Sequence, residues 1–206
     1  MDKIRDAVRA IMRQVARALN KITGGHLSPN AVTIIGLLAH LPIAYFIAFG
    51  KLELAAILLV IFGLFDTLDG ELARLQKRTS NIGRFLDSTT DRMKEIILYT
   101  GIVYFLVSNN MANYAVWATV ALGASVLTSY INAWGDAVVS NSNIVHTNVN
   151  KAFRGGILRF EIRMFLLFVA LLADKLQWFV VIIAVLASIT ACQRIFMVIK
   201  RLRDHV

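Results

Sequence analysis

Apolar and polar positions along the first 22 residues repeat at the helical period. Ile4, Val8, Ile11, Val15 and Leu19 fall on one face, while Arg5, Arg9, Arg13, Arg17 and Lys21 recur every four residues on another. The pattern predicts an amphipathic helix lying in the headgroup region of a membrane. It is not the pattern of a cleavable signal peptide, because basic residues run through the segment instead of preceding an apolar core. Gly24, Gly25, Ser28 and Pro29 end it. Residues 31–49 then carry no charge, a run of nineteen that suits a bilayer core of roughly 30 Å. Further apolar runs at 54–75, 83–107, 112–134, 158–173 and 176–199 bring the expected spans to six. The expected fold is therefore all-α: an integral membrane domain over 23–206 with six transmembrane helices, preceded by the interfacial helix at 1–22.

Composition agrees with this pattern. Of the 206 residues, 57% are hydrophobic and 17% charged, against about 45–50% and about 25% in soluble domains. That balance excludes a soluble enzyme and a disordered chain, and the single Cys192 excludes a disulfide-built module. The net charge of +9 raises nucleic acid as a partner, but the positions of the basic residues remove it. With six spans and the N-terminus inside, 20 of the 22 lysines and arginines fall on the cytoplasmic side, and only Lys51 and Lys175 fall outside. This is the positive-inside distribution. The excess charge reads as orientation and contact with anionic lipid.

Acidic residues interrupt the apolar pattern in one place. Asp66, Asp69, Glu71, Asp87, Asp91 and Glu95 sit within or between the second and third runs. Ionisable groups at membrane depth are costly and usually mark function. Asp66 and Asp69 are spaced i,i+3 and share a helical face, as do Asp87 and Asp91 at i,i+4. A short connection through residues 79–82 folds one helix end beside the other, so the four carboxylates converge. Such a cluster needs cations, and oxygen-only ligands suit Mg²⁺, Mn²⁺ or Ca²⁺. Pairing with Arg74, Arg84, Arg92 and Lys94 is the structural alternative. Gly70 and Gly83 would let a ligand approach the backbone, and Arg74 can pair with phosphate oxygens. A cation transporter also places carboxylates among membrane helices, but near the midplane and not at the basic ends of the spans.

The stretch from Asp66 to Asp91 reads D-x₂-D-G-x₂-A-R-x₈-G-x₃-D-x₃-D, with all eight fixed positions in place. It resembles the signature of the CDP-alcohol phosphotransferase family, as do the six-span layout, the N-terminal helix and the segment from Ser28 to Thr33. The resemblance implies transfer of a phosphatidyl or related group from a CDP-alcohol such as CDP-diacylglycerol to an acceptor hydroxyl, with release of CMP at the cytoplasmic face of the cell membrane. It implies that Asp66, Asp69 and Asp87 bind two Mg²⁺ or Mn²⁺ ions, with Asp91 completing the cluster and acting as general base. It further implies that Gly70, Ala73 and Gly83 pack against the nucleotide, that Arg74, Asn30 and Thr33 contact its diphosphate, and that the protein is a homodimer.

Arg154, Arg159, Arg163 and Arg194 are the candidates for an anionic acceptor, with snorkelling or pairing to Glu161 as the alternative for the loop arginines. The segments 159–163 and 190–194, with Ser129 and Tyr130, are similar to phosphatidylinositol-phosphate and archaetidylinositol-phosphate synthases, which implies inositol phosphate as acceptor. Asn132 and Trp134 depart from that pattern, standing where lysine and arginine are usual. Glycerol phosphate is the second choice of acceptor.

Overall fold

The computed structural model describes residues 2–141 and 157–203. Those residues form eight α-helices and no strand: α1 (Asp2–Ile22), α2 (Pro29–Ala48), α3 (Leu52–Gly63), α4 (Phe65–Leu75), α5 (Asn81–Ser108), α6 (Ala112–Asn141), α7 (Phe160–Leu172) and α8 (Leu176–Arg203). Contacts divide the chain into two compact units, Met1–Gly101 and Ile102–Val206.

Local chemistry explains the helix ends that matter for the first unit. Gly24 and Gly25 take positive φ after α1, a conformation that costs glycine little. Ser28 then caps α2: its side chain accepts from the Ala31 N–H at 3.2 Å, and Pro29 occupies the first turn. Gln76, just past α4, donates to Asn20 Oδ1 at 2.8 Å and to the Leu27 carbonyl at 2.9 Å, tying the end of α4 to the α1–α2 turn.

The core of this unit joins α1 to α4. Met12, Ala16, Val32, Leu68 and Leu72 are buried together, with Val8, Leu19, Leu27, Leu64 and Phe65 packed around them. Full burial of a side chain such as Leu72 contributes about 1.5–3 kcal/mol. The apolar face expected for α1 is therefore divided. Val8 and Leu19 turn to the core beside Met12 and Ala16, whereas Ile11 (57% exposed) and Val15 face outward. The reason is that α4 covers only one edge of a wide apolar stripe.

The backbones of α2 and α4 also approach closely. A Cβ on Gly36 would lie 3.2 Å from the Phe65 Cβ. At Gly101 of α5 an added Cβ would collide with the Ala44 carbonyl of α2, and would lie 3.0 Å from the Ala44 Cα. Small residues at such crossings are what membrane helices use to pack without a hydrophobic driving force between them. In the second unit the same device joins α6 to α8: Ala115, Ala118 and Ala121 on one helix and Ala184, Ala187 and Ala191 on the other are all buried. The Leu158 N–H, just before α7, donates to Thr190 Oγ1 of α8 at 3.0 Å.

Among the described residues, three helices are long and apolar enough to cross a membrane: Pro29–Ala48, Ala112–Gly135 and Leu176–Lys200. The other expected spans look different. The run at 54–75 is broken at Leu64, after Gly63, into α3 and α4. α7 has 13 residues, about 20 Å at 1.5 Å per residue. α5 is long but charged through its first half.

Candidate active site

The site is assembled in the first unit from α2, α4 and the start of α5. The helical period sets its geometry. On α4, Asp66, Asp69, Gly70 and Ala73 share one face, opposite the buried Leu68 and Leu72. The turn after α4 then returns the chain into α5, where the Ser80 side chain accepts from the Gly83 N–H at 3.0 Å.

Carboxylate oxygens of Asp66, Asp87 and Asp91 all lie within 4.8 Å of one another. Two ligands of a single ion stand at most twice the metal–oxygen distance apart, roughly 4.2 Å for Mg²⁺ and roughly 5 Å for Ca²⁺. The trio therefore fits a hard divalent ion with little adjustment. Asp69 is held separately. It is buried, and its Oδ2 accepts from Thr33 Oγ1 of α2 at 2.6 Å. Three of the four predicted aspartates converge within ligand distance, the group containing Asp91 instead of Asp69, and Asp69 shares the cavity wall with Asp87.

Beside them opens a cavity of about 530 Å³. Asn30 and Thr33 line it from α2, and Asp69, Gly70, Ala73 and Arg74 from α4. Gly83 and Asp87 complete it from α5, and Asp87 belongs to both the cavity and the carboxylate trio. A Cβ on Gly83 would sit 3.3 Å from Ser80 Oγ and 3.5 Å from Asn30 Oδ1, and one on Gly70 would sit 3.5 Å from Arg74 Nη2. Both glycines thus leave room at the cavity wall beside these polar side chains. A mixed wall of carboxylates, a guanidinium and exposed backbone suits a metal-bound diphosphate.

Several participants lie outside the predicted site residues, although Glu71 belongs to the acidic cluster of the sequence and Arg84, Arg92 and Lys94 are its pairing alternatives. Arg78 and Arg84 add cationic side chains to the cavity wall, and Arg84 Nη2 donates to Asn81 Oδ1 at 2.5 Å. Glu71 is 4% exposed and serves as an anchor: Arg74 Nη2 donates to its Oε1 at 2.6 Å, and Arg13 Nε of α1 donates to its Oε2 at 3.2 Å. The i,i+3 spacing of Glu71 and Arg74 was a visible signal. The contact with Arg13, 58 residues away, was not. Lys94 sends its ammonium to Asp66 and to Asp91, the latter at 3.6 Å. Arg92 stands 3.7 Å from Asp91 and pairs with the buried Glu95 at 2.5 Å.

The acceptor candidates lie in the second unit. Arg194 is buried and its Nη1 donates to the Thr128 carbonyl at 3.1 Å. Arg163 is also buried; it donates to the Leu158 carbonyl at 3.4 Å, and its guanidinium lies 5.7 Å from the Phe160 ring centre. Arg159 precedes α7, and Arg159 and Arg163 are near enough to act electrostatically on Arg194. Ser129 donates to the Ser125 carbonyl at 3.2 Å. Arg154 falls outside the described residues.

These features define a helical membrane protein in which a carboxylate trio able to hold a divalent ion adjoins a polar cavity. Residues 26–192 match the CDP-alcohol phosphatidyltransferase family, and the chain belongs to it. It is an enzyme, a transferase of phospholipid biosynthesis. The cation-transporter reading is set aside with that membership. Over 98% of both chains it is 29% identical to archaetidylinositol phosphate synthase of Pyrococcus horikoshii. It is 33% identical to phosphatidylinositol phosphate synthase of Cutibacterium acnes, over 65% of this chain and 64% of that one. The fold is similar to that of Mycobacterium tuberculosis phosphatidylinositol phosphate synthase with CDP-DAG bound. The TM-score is 0.78 and the identity 26%, over 92% of this chain and 94% of that one. A second structure of the same mycobacterial enzyme, in complex with manganese and citrate, matches with a TM-score of 0.76 at 25% identity, over 91% of this chain and 88% of that one.

Proposed function

We propose that this enzyme transfers a phosphatidyl or related group from CDP-diacylglycerol, or a similar CDP-lipid, to a hydroxyl of inositol phosphate and releases CMP. The observation that carries this reading is the carboxylate trio meeting, through Asp87, a cavity lined by the family's own signature residues. Relatives named as inositol-phosphate-type synthases support the choice of acceptor.

Asp66, Asp69, Asp87 and Asp91 would hold Mg²⁺ or Mn²⁺, two ions in this reading. Bound there, metal supplies charge neutralisation of the diphosphate and of the departing CMP. The rest is the work of the chain. Arg74, aligned by Glu71, binds a phosphate of the donor, and Asn30 and Thr33 border the nucleotide. Gly70, Ala73 and Gly83 leave room for the cytidine and pyrophosphate against the backbone. Asp91 takes the proton of the attacking hydroxyl as the new phosphoester bond forms and the bond to CMP breaks. A positioned base of this kind contributes roughly 10²–10⁴-fold. Arg159, Arg163 and Arg194, with Ser129 and Arg154, bind the phosphate of the acceptor.

The same reading assigns six spans, with both termini and the active site on the cytoplasmic side, and a homodimeric assembly. α1 lies in the interface as an amphipathic helix, and its outward Ile11 and Val15 suit contact with acyl chains.

The test is an acceptor panel. Purified protein is given CDP-diacylglycerol, Mg²⁺ or Mn²⁺, and inositol phosphate, glycerol phosphate, serine or inositol, and CMP release is measured. Metal-dependent CMP release fastest with inositol phosphate is expected, falling about 10²–10⁴-fold in Asp91→Asn. CMP release that ignores chelator, or full activity in Asp91→Asn, refutes the mechanism. Faster release with glycerol phosphate refutes the acceptor.

A further inference from the structure

Lys94 lies one helical turn after Asp91 on α5, in a position the signature does not specify. It is 3% exposed, and its ammonium is directed at Asp66 of α4 and Asp91 of α5. A lysine head at this depth normally snorkels to water or is offset by opposite charge. Here the offset comes from the two carboxylates that would otherwise bind metal. The other cation near Asp91, Arg92, is turned to Glu95 and stays 3.7 Å from the second Asp91 oxygen.

We propose that Lys94 is a tethered counter-cation of the metal centre, which holds Asp66 and Asp91 together before metal binds and competes with a divalent ion for their oxygens. The inference rests on the reading of the cluster as a metal centre. Charge arithmetic gives its direction. Asp66, Asp87 and Asp91 carry three negative charges when ionised and Asp69 a fourth, and Lys94 cancels one of the charges that divalent ions would otherwise neutralise. Without Lys94 the trio regains the third charge, and the oxygens that faced the ammonium become available as ligands. Lys94 is on this account a positioning residue that sets metal affinity, and it touches no substrate atom.

The experiment uses the whole chain in detergent, without nucleotide, and Mn²⁺ alone as the probe. Mn²⁺ binding is followed by calorimetry and by the electron spin resonance signal of free ion. Lys94→Met keeps the length and removes the charge. It is expected to bind Mn²⁺ at least about tenfold more tightly, about 1.4 kcal/mol. In chelator it should melt below the wild type, and added Mn²⁺ should raise its melting temperature more than that of the wild type. Lys94→Arg, which keeps the charge, should bind within about threefold of the wild type. A merely structural lysine would lower stability without tightening metal binding. A folded Lys94→Met with wild-type or weaker affinity overturns the proposal.

A second measurement needs no variant. Acetylation of Lys94 in the wild-type protein, read by peptide mass, should rise at least about threefold when Mn²⁺ displaces the ammonium. Unchanged reactivity in saturating Mn²⁺ overturns the proposal as well. If the wild type binds no Mn²⁺, it is the metal-centre reading itself that fails.

Discussion

Glu71 offers a test of how the cavity's guanidinium is aimed. Its buried carboxylate receives Arg74 at 2.6 Å and Arg13 at 3.2 Å, and Arg74 in turn lines the cavity beside Gly70. Glu71→Gln keeps the shape and removes the charge. A hydrogen bond to a charged group contributes about 1.5–3 kcal/mol and a neutral one about 0.5–1.5. The substitution should therefore loosen Arg74 by about 1–1.5 kcal/mol, or roughly five- to twelvefold. The opposing effect is the added positive potential once a negative charge is gone. It is the smaller effect, because Arg74 is half exposed and solvent screens it. Initial rates of CMP release over a range of CDP-diacylglycerol concentrations should show KM for the donor rising, with kcat changed less. In a cycle with Arg74→Ala the two losses should not add, since Glu71 acts through Arg74. Arg13→Ala should cost under about fivefold, because Arg13 is 57% exposed. An unchanged or lowered donor KM in Glu71→Gln, or strict additivity in the cycle, would refute this account.

Two further outcomes follow from the packing and from the Asp69 hydrogen bond. Gly101→Val should destabilise the protein by about 1–3 kcal/mol, because the added carbon meets the Ala44 backbone and no side chain can swing away. The melting temperature should fall by at least about 2 °C, whereas Gly123→Ala, with nothing within 4 Å of its Cβ, should leave it unchanged or slightly raised. Thr33→Val removes the hydroxyl that donates to Asp69 at 2.6 Å and should lower kcat/KM by about tenfold, with Thr33→Ser restoring most of it. Equal activity in Thr33→Val would mean that Asp69 needs no such support.

The carboxylate site was legible because its information is local. Asp66 and Asp69, then Asp87 and Asp91, are placed by the helical period, and five residues between α4 and α5 leave little choice but to bring the two faces together. Gly70, Arg74 and Gly83, read from the chain, and Ala73, implied by the family resemblance, line the cavity. What escaped was long-range. The order of residues in α1 shows a broad apolar stripe but not which edge α4 covers, so the inward turn of Met12 and Ala16 and the reach of Arg13 to Glu71 were hidden. Lys94 was visible only as one of four basic residues available to pair with the acids, because whether a lysine points into a cluster or away to water is a matter of rotamer and depth. The apolar run at 54–75 concealed the break at Leu64, since hydropathy does not register where one helix ends and the next begins.

That break clarifies why the signature has the form it does. At about 100° per residue, Asp66, Asp69, Gly70, Ala73 and Arg74 fall within an arc of roughly 140°, and the unspecified Thr67, Leu68, Glu71 and Leu72 lie outside it. The pattern is thus the address of one helical face. The opposite face needs only to be apolar enough to dock on α1, as Leu68 and Leu72 do. The interruption at Leu64 makes α4 a separate short helix that presents both of these faces. Glu71 stands at the border between the two faces. It is a buried acid that reaches a cavity arginine on one side and an arginine of α1 on the other. The docking of the N-terminal helix and the aim of Arg74 are therefore joined through a single side chain.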